Sequence, residues 1–157
     1  MRTMRPRARK TVLVIHIVAS VALAGEVWGL VVLNTAAALT GDAALAHSAY
    51  RLMPALVFAG GIPLSMTALV TGLVLGLMSH WGLFRHAWVT IKLGLLLAVI
   101  CAGMFLFDPE SMAAATEGAV AAPEPGKWNQ VAVPATQLAM ILTATALSVF
   151  KPRSKTP

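Results

Sequence analysis

The chain has 157 residues, room for one domain, and is 58% hydrophobic and only 11% charged, which excludes a water-soluble core of the ordinary kind, where about a quarter of residues carry charge. Its formal charge of +6 does not imply a nucleic-acid partner, because eight of the twelve Lys and Arg residues fall in the first ten and last seven positions; basic ends on an apolar chain are drawn to anionic lipid headgroups. Cys101 is the single cysteine, which excludes an intrachain disulfide framework, a thiolate metal cluster and the two-cysteine attachment of a c-type haem.

Taken in order, residues 11–39 are apolar apart from His16, Ser20, Glu26, Asn34 and a few threonines, longer than the roughly 20 residues that cross a hydrocarbon core. This is the first predicted span. Gly41 and Asp42 read as a helix stop and a new N-cap, and residues 43–53, with His47, Tyr50 and Arg51, predict a short half-polar helix in the headgroup region. Residues 54–78 form the second span, bent near its start by Gly60, Gly61 and Pro63. A turn over 79–85 with Trp81 leads to the third span, residues 86–107, which carries one cation, Lys92. Residues 108–130, with four acids and three prolines, predict a flexible, exposed acidic loop. Residues 131–150 form the fourth span before the basic tail.

The fold expected is an all-α membrane protein, a four-helix bundle in a bacterial plasma (inner) membrane. Nine Lys and Arg residues flank one side of the spans against two, Arg51 and Lys127, on the other. The positive-inside rule then places both termini in the cytoplasm. A competing reading is a secretory signal cleaved after Ala24, at the Ala22-Leu23-Ala24 pattern, which would remove His16. The apolar run continues well past that point, beyond the ~7–15 residues of a signal core, so an uncleaved helix is expected.

Helices in lipid associate through small residues and polar contacts. Ala68, Gly72 and Gly76 recur every four residues in the second span, as do Gly94, Ala98 and Ala102 in the third. Each stripe predicts packing within the bundle, with a homodimer face as the alternative. On the first span His16, Ser20, Leu23, Val27 and Asn34 share one face, with Glu26 to one side. At ~1.5 Å per residue His16 lies about 7 Å below the cytoplasmic boundary, Lys92 about 9 Å and Glu26 about 22 Å. Ionisable groups at such depth are costly, so pairing or use is the default reading. Each also has a bland one: His16 bonded to a helix carbonyl, Lys92 snorkelling to the surface, Glu26 as a neutral acid within the bundle. His47, His80 and His86 fall near the interfaces, where solvation is expected.

His16 nine residues before Gly25, the Arg51-Leu52 pair, Pro63 nine before Gly72, and Trp88 four before Lys92-Leu93 together resemble the HemJ-type membrane protoporphyrinogen oxidases. The outline is also similar to CopD-like copper-resistance domains and to small uncharacterised bacterial membrane proteins. The HemJ resemblance implies haem b, with His16 as iron ligand, Lys92 as the third-span site residue and Arg51 as a basic residue near the second span. Leu23 stands where that family has tryptophan, Glu26 where it has a small or apolar residue, and 51–63 is about one helical turn longer, which favours the uncharacterised relatives as nearest kin. The readings carried forward are a haem b or porphyrin site between spans one and three serving a membrane redox partner, a non-enzymatic scaffold or partner subunit, and copper handling by His47 with the acidic loop.

Overall fold

The computed structural model describes residues 5–78, 87–118 and 120–150, and among them every regular element is a helix, four of them long and apolar enough to cross a membrane. Helix α1 (Pro6–Leu39) opens on Pro6, whose missing N–H is no loss in a first turn, and ends where Thr40 turns extended. Its 34 residues reach about 51 Å, so it exceeds a ~30 Å hydrocarbon core and carries its basic first turns beyond it. Asp42 then caps α2 (Ala43–Leu56), its carboxylate accepting from the N–H groups of Ala44 and Leu45 at 2.9 and 3.2 Å, as the sequence leads one to expect.

The helix expected at the interface does not stop at Pro54. It runs through that proline, passes a wide π-helical turn (Val57–Gly61) and continues directly into α3 (Ile62–Leu77). The wide turn lies where the ring of Pro63 would otherwise meet the carbonyl of Ala59, and it lets the Ile62 N–H reach Val57. In an apolar surrounding, backbone groups must be satisfied within the helix, so a register slip is favoured over a break.

The stretch 108–130 departs further from expectation, since it is not a structureless loop. Asp108 accepts from Ser111 N–H at 3.0 Å and caps α5 (Pro109–Ala115), with Pro109 in its first turn. Met112 and Thr116 are buried there, Gly118 adopts a positive φ of 73° in the turn that follows, and α6 (Glu124–Phe150) begins seven residues before the predicted 131. A cap and an amphipathic contact on α2 outweigh an alanine- and proline-rich composition.

Helix α1 adjoins α3 and α6, and α4 (Ala87–Phe105) adjoins the same two, while among the described residues α1 does not adjoin α4, nor α3 α6. The four spans therefore form a ring in the order α1, α3, α4, α6. Leu23 and Val27 of α1 meet Val99 and Ile141 at its centre. A second cluster closes the end that carries α5: Leu30 and Ala37 pack with Ala46, Tyr50, Met53, Phe107 and Met112.

Candidate functional site

The first and third spans, expected to flank the site, are diagonal partners across the ring. His16 projects from α1 onto α3, and its Nδ1 lies 3.1 Å from the Ala68 carbonyl and 3.0 Å from Thr71 Oγ1. A carbonyl only accepts, so Nδ1 carries the proton and donates. The Thr71 hydroxyl in turn donates to the Thr67 carbonyl, which leaves its oxygen free to receive the same N–H. The imidazole is thus held as the Nδ1–H tautomer with the Nε2 lone pair left over, and Nε2 has no hydrogen bond among the described residues.

Room for the ring comes from Gly72: a Cβ there would stand 3.1 Å from His16 Cε1. Ala68 and Gly72 of the second-span stripe are therefore where α1 seats on α3, with Ala68 buried. The third-span stripe behaves differently. Gly94 is exposed and a Cβ on it would meet nothing within 4 Å. Helix α4 packs on α6 one face over, where Gln137 Nε2 donates to the Val99 carbonyl at 2.9 Å and Gly103 makes way for that amide. The period of small residues reveals where close approach is allowed, and a polar donor such as Gln137 decides where it happens.

Lys92 lies on α4 with its ammonium 5.8 Å from the centre of the Trp88 ring, within cation–π reach. Arg51 does not join His16. It is exposed on α2, twenty residues before Thr71 on one nearly continuous helix, hence about 30 Å away along it. His80 and His86 lie outside the described residues. His47 is half-buried rather than solvated, with Nδ1 3.0 Å from Thr116 Oγ1, which itself donates to the Met112 carbonyl. This bond joins α2 to the end of α5.

Glu26 occupies a second place. Its side chain lies along Gly60 and Gly61, where added Cβ atoms would come within 3.2 Å of Glu26 Cγ and Oε1, so the wide turn and its two glycines accommodate the acid. Oε1 is buried without a hydrogen-bond partner, as are Asn34 Oδ1 and the Tyr50 hydroxyl. The carboxyl borders a cavity of about 640 Å³ between α1, the α2–α3 helix and α4. Among the described residues no three His, Cys, Asp or Glu side chains come together as a metal site.

The sequence singles out His16, Lys92 and Glu26, and its reading of His16 as bonded to a helix carbonyl holds. Which carbonyl, and the Thr71 hydroxyl beside it, depend on how α1 packs on α3 and carry no periodic signal, while the Gly60-Gly61 pair read as a bend, not as space for an acid. No curated protein and no solved structure matches the chain. A family model described as "Predicted integral membrane protein (DUF2269)" matches residues 10–152, spanning all four helices, the His16 contact and the Glu26 cavity, and the chain belongs to that family of membrane proteins.

Proposed function

We propose that this multi-pass membrane protein holds a b-type haem or a porphyrin between its first and third spans and serves a HemJ-like redox role in a bacterial inner membrane, with both termini cytoplasmic. The observation that carries the reading is the orientation of His16. An imidazole whose Nδ1–H is given to a backbone carbonyl has its tautomer fixed and its Nε2 basic, the arrangement metal-ligating histidines use. These donors fit such a group: His16 Nε2 would hold the iron, and Lys92 would serve as a second nitrogen or as a partner for a porphyrin carboxylate. Bound haem would supply one-electron chemistry whose potential depends on such axial and hydrogen-bonding partners. Thr71 and Ala68 would hold the ring still, and the apolar helices would keep water out.

The same geometry favours a second reading, a non-enzymatic scaffold or partner subunit. The bond from His16 to Ala68 and Thr71, with Gly72 under the ring, also clasps α1 to α3 with no cofactor at all. Copper handling has less support, since no three His, Cys, Asp or Glu side chains come together as a metal site around His47 among the described residues. A visible spectrum decides between the first two. Protein purified from haem-replete cells should show a Soret band that His16→Ala abolishes and Lys92→Met shifts or abolishes, with each variant eluting as folded protein. A colourless, folded wild-type preparation sinks the haem reading and leaves the scaffold.

A further inference from the structure

We infer that the cavity beside Glu26 is a binding site for an organic monocation with an apolar body, such as a lipophilic amine or quaternary cation. The cavity's volume of about 640 Å³ is that of a small-molecule site, typically ~300–1,000 Å³. Its walls are largely apolar and aromatic, among them Phe58, Met66, Phe105 and Phe107, and among the described residues no Lys, Arg or His lines it. Into this surface the chain places one carboxyl from the middle of α1, with Oε1 buried and unpartnered. Asp108 and Glu110, both exposed, border the same cavity near the start of α5. The electrostatic field at its rim and at its wall therefore has one sign.

A lone carboxyl at this depth is expensive unless paired. No cation lines the cavity among the described residues, so the charge that pairs with an ionised Glu26 comes from what enters. The occupant that satisfies every wall at once is a cation whose charge is small relative to its apolar surface. Its charge meets Glu26, its body meets Phe and Met side chains, and aromatic faces add cation–π attraction. Small inorganic cations are disfavoured, because no three acidic or other ligating side chains converge to replace their water among the described residues. The wide π-helical turn belongs to the same site: Gly60 and Gly61 leave the acid its space, and such turns recur at functional positions. Glu26 lies ten residues beyond His16, about 15 Å along α1, so this inference stands or falls apart from the haem reading.

The test uses the full chain in phosphatidylcholine nanodiscs, with empty nanodiscs as the blank and tetraphenylphosphonium as the probe. Saturable binding of one cation per chain is expected, weakened at least tenfold by Glu26→Gln. Tetraphenylborate, the anion of the same shape, should not bind above the blank. Equal affinity of wild type and Glu26→Gln, equal binding of the two probes, or no binding above the blank overturns the proposal. If Glu26→Gln does not fold, wild-type protein is treated with dicyclohexylcarbodiimide. The carboxyl O–H adds across one C=N bond, the proton passes to nitrogen, and the O-acylisourea formed rearranges to a stable N-acylurea. Mass spectrometry should find Glu26 modified and tetraphenylphosphonium should slow the modification; unslowed modification, or none at Glu26, counts against the site.

Discussion

His16 makes two demands on its neighbours, an acceptor for Nδ1–H and open space beside Cε1, and α3 meets them with consecutive positions, Thr71 and Gly72. The space is the stricter demand. In Gly72→Leu the new Cβ would start 3.1 Å from the ring, and overpacking of this kind costs about 1–3 kcal/mol. Thermal unfolding in detergent should show a clear drop in midpoint for Gly72→Leu and a smaller one for Thr71→Val, which keeps the shape and removes the acceptor. An unchanged midpoint in Gly72→Leu would place His16 on another face. At this scale the sequence was informative about which residues matter and silent about what they touch. An inward stripe holding His16 and Asn34 follows from 100° per residue, and both are buried or half-buried on α1. That Asn34 would donate to its own helix at Leu30 and leave Oδ1 unpaired depends on the neighbouring backbone, which no periodicity describes.

Among the elements, α5 shows how composition and local signals can conflict. Residues 108–130 look disordered when counted, yet Asp108-Pro109-Glu110 is a helix start in miniature: a cap, a proline in the first turn and an acid near the positive end of the helix dipole. Seven residues are too few to stand alone. What holds them is Met112, buried in the cluster with Tyr50 and Met53, and Thr116 accepting from His47. Asp108→Ala should therefore cost about 1 kcal/mol, and the loss should be local. Hydrogen exchange would rise over residues 109–116 while α1 and α3 remain protected. Uniform destabilisation of all helices would mean that α5 is integral to the bundle and not a docked cover.

For the whole molecule, the number of spans was legible because a bilayer sets one length scale that every spanning helix obeys. Their circular order was not, since four apolar helices can be arranged in several rings and only side chains such as His16 and Gln137 choose among them. Orientation depends on charge bias alone, and it can be tested in intact cells. Starting from Cys101→Ala, which removes the exposed free thiol, Glu117→Cys should react with an impermeant maleimide and Ser154→Cys should react only after the cells are opened. The opposite pattern would put both termini outside.

The wide turn at Val57–Gly61 amounts to a surplus residue in an otherwise ordinary helix. Met53 and Ser65, both buried, are 12 residues apart, which at 100° per residue would set them about 120° apart around an unbroken helix. With one residue fewer the offset would be about 20°, so the turn absorbs the extra position and returns both halves to a shared inner side. A kindred chain lacking one residue in this stretch would bury the same two side chains through a uniform helix. It would differ only in losing the hollow that receives Glu26, so chain length between Met53 and Ser65 separates relatives that keep this pocket from relatives that merely keep the bundle.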